Sequence, residues 1–236
     1  VKYSQELLDI FALLKAGTRV RLKSLPIEKN LNLIMTRKNK MHIAAFQPLS
    51  VNEYPGELSA IVFTQGCDFR CKYCLNPELI KKVSQGDEKY SELLLDQDVL
   101  DEIYKLRKKI SGVTITGGEP LLWGDLGVFM RKIKEMGLLV KMNTNGSHFY
   151  RLKKLIEEGL IDYVDMDVKA PPGKYNKIAG DNIDIDGVIR SVEYLKESKV
   201  DHTFTTVWDD EILTEKDREY ILNWVGNSQH LIREKI

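Results

Sequence analysis

The sequence predicts an α/β protein built on a parallel sheet, and three observations predict it. From residue 58 onward, short apolar runs alternate with amphipathic helical patterns, the trace left by right-handed βαβ crossovers. Residues able to do chemistry fall just after the apolar runs, where the carboxyl edge of such a sheet would gather them. The composition is that of an ordinary folded domain: 236 residues, 43% hydrophobic and 30% charged, suffice for one substantial core.

The elements follow in chain order. Ser4 is placed to cap a short helix over 5–14, with Leu7, Ile10, Phe11 and Leu14 on one face and Gly17 ending it. This segment is basic. Residues 1–40 carry nine Lys or Arg against three Asp or Glu, although the formal net charge of the whole chain is +0. Charge runs are usually solvated, so the helix is read as docked on the main domain, with a contact surface for an acidic partner as the alternative. Met41 is a candidate natural start, and the sequence is divided into a basic N-terminal extension, 1–46, and one main domain, 47–236.

Within that domain the runs 58–63, 113–116, 138–142, 163–168 and 202–207 read as buried strands. Helical patterns lie between and after them at 98–110, 125–136, 148–158, 186–197 and 214–225, and residues 227–236 leave room for one short strand. Cys67 then follows the first run, Gly118 and Glu119 the second, Asn143 the third and Lys169 the fourth. A neutral chain argues against nucleic-acid binding by charge. No apolar run approaches the length that spans a bilayer.

The three cysteines, Cys67, Cys71 and Cys74, lie in one short run, Gly66-Cys67-Asp68-Phe69-Arg70-Cys71-Lys72-Tyr73-Cys74. Three thiolates can hold three corners of an iron–sulfur cube, and with no fourth cysteine one iron must take its ligand from elsewhere. A zinc site would need His42, His148, His202 or His230 to complete it, and none stands at finger spacing. A disulfide framework fits worse, since the count is odd and no charged-then-apolar leader is recognised. Reduced thiolates in a cytoplasm are expected.

The C-x-x-x-C-x-x-C spacing, together with Thr116-Gly117-Gly118-Glu119-Pro120, resembles the signature of the radical S-adenosylmethionine (SAM) superfamily. The resemblance implies an incomplete (β/α)6-type partial barrel with parallel strands and its site at the carboxyl edges, and the few residues left after the fifth strand add the expectation of an open lateral mouth suited to a bulky substrate. It makes Cys67, Cys71 and Cys74 ligands of a [4Fe-4S] cluster. It sets Tyr73 beside the adenine of SAM and Gly117, Gly118, Glu119 and Pro120 at the amino end of its methionine moiety. Asn143 and Thr144 come near the ribose and methionine, with a plain Asx-type turn through Asn145-Gly146 as the rival explanation. Asp167 and Lys169 alternate with Met166 and Val168, so both polar groups share a side. A buried lysine needs an anion, and either the SAM carboxylate or Asp167 itself would serve. His202 has no acid or nucleophile beside it in sequence and reads as a strand histidine.

Further segments, Glu53-Tyr54-Pro55-Gly56-Glu57, Cys74-Leu75-Asn76-Pro77, Asn143-Thr144-Asn145-Gly146 and Val164-Asp165-Met166-Asp167-Val168-Lys169, are similar to the activating enzymes of glycyl radical enzymes, the anaerobic ribonucleoside-triphosphate reductase group above all. That likeness implies reductive cleavage of SAM to methionine and a 5′-deoxyadenosyl radical, which takes hydrogen from a glycine Cα of the partner. The cofactors carry this chemistry, so no catalytic acid or base is named. It further implies an external low-potential donor such as flavodoxin or ferredoxin, and neither nucleic acid nor membrane as partner. Activation of a pyruvate formate-lyase type enzyme, another radical SAM reaction, or plain electron transfer are the alternatives.

Overall fold

A computed structural model describes residues 41–81 and 93–235. The chain separates into two units, Val1–Asn39 and Lys40–Ile236, and every described residue falls in the second. The helix expected over 5–14 lies outside the described residues.

Seven strands form one sheet in sequential order: β1 (Ile43–Tyr54), β2 (Glu57–Thr64), β3 (Gly112–Gly117), β4 (Leu139–Thr144), β5 (Tyr163–Asp167), β6 (Asp201–Trp208) and β7 (Gln229–Glu234). The six strands β2 to β7 run parallel, as the alternation requires, and β7 is the short strand expected in 227–236. The edge strands β1 and β7 are not paired with each other, so the sheet stays an open partial barrel. A seventh strand, β1, joins the six expected parallel strands at one edge of the sheet. β1 pairs antiparallel to β2 through a hairpin turned at Gly56 (φ 77), and it begins at Ile43, inside the segment assigned to the extension. Its pattern was hard to read because Gln47-Pro48-Leu49-Ser50-Val51 is largely exposed and the proline removes a donor, both tolerated only at a sheet edge.

The connecting helices are α1 (Asp96–Leu106), α2 (Leu126–Glu135), α3 (Phe149–Glu157), α4 (Tyr175–Ala179), α5 (Ile185–Glu197) and α6 (Glu215–Val225). Sequential parallel strands joined by right-handed crossovers put the crossover helices on one side. Strand residues facing that side are apolar and fully enclosed: Val62, Ile115, Val140, Met142, Val164 and Phe204 join Ile103, Met130, Ile133, Leu152, Val192 and Ile221 of the helices in one core. Asp184 caps α5 by accepting from the Gly187 amide, and Thr214 with Asp217 forms a reciprocal cap on α6. No described helix is long and apolar enough to cross a membrane.

The opposite, concave face is polar. Register places Thr114 beside Lys141 and Tyr163, and Asn143 beside Asp165. The end of β1 folds across the amino-terminal half of this face. Tyr54 is 4% exposed, its ring 5.9 Å from that of Tyr163, and Lys141 Nζ donates to the Glu53 carbonyl at 2.5 Å.

Candidate functional site

The loop after β2 leaves the strand at Gly66 (φ 93), a conformation that favours glycine. It is fastened along its length. Cys67 N donates to Ile80 O at 2.9 Å, Arg70 N to Ala179 O at 2.6 Å and Lys72 N to Ile178 O at 3.1 Å. The Arg70 guanidinium reaches back to the carbonyls of Cys67 and Phe69, both at 2.8 Å. Phe69, 1% exposed, packs edge-on to Tyr175. The side-chain amide of Gln65 donates to Glu78 O and Lys81 O, at 3.0 and 2.7 Å, which anchors the returning leg. Cys67, Cys71 and Cys74 are thus half-buried free thiols on a loop whose backbone the protein itself holds in place. Burial pushes the Cys67 thiol up to about 12 and raises that of Cys71, against the pull of Lys169.

The turn after β3 lies directly on this loop. Gly118 N donates to Thr64 O at 2.8 Å and Glu119 N to Gly66 O at 2.7 Å. A Cβ on Gly118 would stand 1.9 Å from Gly66 O, and one on Gly117 (φ 117) 2.3 Å from Thr64 N. Gly118 thus admits the backbone of the cysteine loop, and Gly117 the end of β2. Pro120 is buried at the start of a 3₁₀ turn, Pro120–Leu122.

Glu119 is 1% exposed and accepts three hydrogen bonds, from Leu121 N (3.0 Å), the Thr144 hydroxyl (2.8 Å) and Asn145 N (2.7 Å). Burial pushes its carboxyl up to about 7 in spite of these donors. A second carboxylate, which sequence reasoning missed, works in parallel. Asp68 accepts from Asn145 Nδ2 at 2.8 Å and Ser147 Oγ at 2.6 Å, with His148 Nε2 at 3.4 Å. Burial opposes its ionisation, but His148, Ser147 and Asn145 outweigh burial and hold the carboxyl down at about 2. Glu119 and Asp68 therefore tie the β3 turn and the cysteine loop to the loop after β4. No local pattern marks Asp68, since its three partners lie more than seventy residues away.

At the end of β5, Lys169 Nζ meets Asp167 Oδ2 at 2.8 Å, so the internal ion pair weighed against a ligand carboxylate is present. Lys169 has 9% of its side chain exposed and Asp167 44%, which leaves the carboxylate as the accessible member. Burial disfavours the ammonium, but Asp167, with Cys71 and Tyr73, holds it well above the usual lysine range. The ammonium also stands 6.0 Å from the Tyr73 ring centroid. The turn expected over Asn143-Thr144-Asn145-Gly146 exists as well: Gly146 N donates to Thr144 Oγ1 and Ser147 N to Asn145 Oδ1. Asn143 faces the concave side, where its amide nitrogen donates to Glu53 Oε1 at 2.7 Å and Thr116 Oγ1 at 3.3 Å. His202 sits in β6, held by Val200 O and Ser228 Oγ.

One observation tests the fit of the expected cofactors. Tyr73 Oη and Asn143 Oδ1 are buried and without a partner among the described residues. Buried polar atoms are normally satisfied, so unpaired ones on two expected SAM contacts fit a ligand-facing wall.

Comparison with known proteins agrees with this arrangement. A family profile, the radical SAM superfamily, matches residues 61–225. The chain is 31% identical over 191 residues to a provisionally named glycyl-radical enzyme activating enzyme, MJ1227 of Methanocaldococcus jannaschii, covering 79% of this chain and 76% of that protein. It is 34% identical over 139 residues to the 7-carboxy-7-deazaguanine synthase of Methanopyrus kandleri (50% of this chain, 52% of that protein). It is also 34% identical over 129 residues to the pyruvate formate-lyase-activating enzyme of Listeria monocytogenes, covering 50% of each. In both of these the chain spans about half the relative's length. Streptococcus suis SuiB, solved bound to S-adenosylmethionine, superposes with a TM-score of 0.59 at 12% identity over 98% of this chain and 51% of SuiB, a likeness of fold.

Proposed function

The chain belongs to the radical SAM superfamily, and from that premise we propose that it is an activase that generates a glycyl radical on a partner enzyme, anaerobic ribonucleoside-triphosphate reductase by preference. It is a radical SAM enzyme, and its cofactors are a [4Fe-4S] cluster and SAM. When bound, these supply the electron and the 5′-deoxyadenosyl radical that removes a hydrogen atom from a glycine Cα. The observation that carries the proposal is the contact of the cysteine loop with the Gly-Gly-Glu-Pro turn at the mouth of an open-edged sheet, Glu119 N to Gly66 O at 2.7 Å. The match over most of the length of a relative named as a glycyl-radical enzyme activating enzyme supports the substrate class.

The residues have distinct tasks in this proposal. Cys67, Cys71 and Cys74 hold the cluster and leave one iron free for SAM. Tyr73 and Pro120 shape the wall beside the adenine and the methionine. Glu119 keeps its place through three internal donors, and a carboxylate that can accept about four has room for one more, the SAM ammonium. Lys169, paired to Asp167 at 2.8 Å, turns toward the SAM carboxylate. Gly117 and Gly118 keep the two loops in contact. Asn143 and Thr144 contribute from β4. The proposed radical SAM domain is 47–236, entered through the start of β1 in an extension over 1–46. A flavodoxin or ferredoxin would supply electrons in a cytoplasmic setting.

A second reading, activation of a pyruvate formate-lyase type enzyme, rests on the Listeria likeness. One experiment separates the two: the anaerobically reconstituted protein, reductant and SAM are mixed with each glycyl radical protein in turn. A radical on the reductase supports the first reading, and a radical on the lyase alone replaces it. SAM cleavage with neither radical withdraws the activase proposal.

A further inference from the structure

The end of β1 reaches the site in a way the mechanism above does not use. Glu53 Oε1 accepts from Asn143 Nδ2 at 2.7 Å, and the same nitrogen donates to Thr116 Oγ1 at 3.3 Å. An ionised carboxylate has acceptors only, so Glu53 forces the amide to turn its nitrogen toward β1. The carbonyl oxygen must then point the other way. Asn143 Oδ1 is buried and accepts no hydrogen bond among the described residues. Glu53 is itself fixed: Lys141, with 4% of its side chain exposed, donates to the Glu53 carbonyl at 2.5 Å, and its Nζ lies 3.8 Å from Glu53 Oε1 and 3.4 Å from Asp165 Oδ2.

We propose that Glu53 is a positioning residue that fixes the polarity of Asn143, so that the concave face presents an obligate acceptor to the bound ligand. The group opposite Asn143 Oδ1 is therefore a hydrogen-bond donor, a hydroxyl or an amide N–H. An acceptor there would face an unpaired oxygen in a buried setting, which selects against it. This inference rests on the radical SAM reading for the identity of the ligand. Two sources offer the donor: a ribose hydroxyl of SAM, or a backbone N–H of the protein substrate.

A double-mutant cycle tests it. Asn143→Asp places two carboxylates in contact, whereas Glu53→Gln combined with Asn143→Asp restores a donor toward position 143 and leaves one carboxylate oxygen free to accept. Holoenzymes matched for iron content would be titrated with SAM, following the change in the cluster's electron paramagnetic resonance spectrum, and then assayed for KM and kcat with the protein substrate. The expected result is that Asn143→Asp alone weakens ligand binding about tenfold or more and the double variant recovers to within about threefold of wild type. If this pattern shows in SAM affinity, SAM provides the donor. Should SAM affinity hold constant while the pattern shows in the KM for the protein substrate, the substrate provides it. If the single and double variants behave alike in both, the positioning role is overturned. A wild-type holoenzyme that binds no SAM would instead remove the radical SAM reading, and that result is seen before any variant is compared.

Discussion

The two faces of one sheet differ more than any two elements of this molecule. On the helix-covered face Val62, Ile115, Val140, Met142 and Val164 are fully buried among apolar neighbours. On the concave face the sheet carries polar pairs instead: Asn143 with Thr116, Lys141 and Thr205 with Asp165, and Asp167 with Lys169. Alternation along a strand permits this division, and each face meets its own cost. The outer one gains from burial, at about 25 cal/mol per Å² of apolar surface. The inner one must find partners for its buried polar atoms, and among the described residues it leaves Thr114 Oγ1 and Asn143 Oδ1 without one. Stability and ligand chemistry are thus assigned to opposite sides of the same backbone.

The comparison breaks most sharply at the cysteines. Replacing Cys67, Cys71 or Cys74 by Ala should abolish a competent four-iron cluster, read as loss of bound iron and of SAM cleavage, while the outer core and the helical circular dichroism persist. Retention of wild-type iron and cleavage by any one variant would count against the ligand assignment.

A core variant should behave in the opposite way. Ile115→Ala on the outer face should cost about 2 to 5 kcal/mol of stability in denaturant unfolding, with SAM affinity of the folded holoenzyme unchanged. Weaker SAM binding without a stability loss would mean that the faces are not separable.

Glu119→Gln and Lys169→Met should each weaken SAM affinity tenfold to a hundredfold, about 1.5 to 3 kcal/mol, with the cluster spectrum in the absence of SAM nearly unchanged. Glu119 also serves three internal donors, so its variant should lose stability as well. Unaltered SAM binding in both would restrict these residues to bracing the loops.

The smallest effect is expected at the rim. The Asp68 carboxylate, 3.4 Å from His148 Nε2, raises the His148 pKa above its ordinary 6.5. The pair's stabilisation is therefore fully present below about pH 6.5 and is lost as pH rises through the folded value. His148→Gln should destabilise by up to about 1 kcal/mol below about pH 6.5, and the deficit should fade as the pH rises through the folded value. A deficit that does not change with rising pH would assign His148 a packing role only.

Much of this was legible in the sequence, for identifiable reasons. The parallel strands and their helices follow from periodicity, which reports burial directly, and the cysteine and Gly-Gly-Glu-Pro runs are local. β1 was not legible, because an exposed edge strand carrying Pro48 lacks the apolar signal. Asp68 and Glu53 were not legible either. Asp68 stands inside the cysteine run yet acts on Asn145 and Ser147, and Glu53 acts on a residue ninety positions away. The purpose of Gly118 was visible only in part, since the backbone it accommodates belongs to another loop.

The most direct test of the activase proposal is the fate of a single hydrogen atom. Reduced holoenzyme, SAM and an anaerobic ribonucleotide reductase labelled with Cα-deuterated glycine should yield 5′-deoxyadenosine that carries deuterium, together with a glycyl radical signal whose proton splitting has collapsed. Unlabelled 5′-deoxyadenosine, formed with no radical on the reductase, would contradict it.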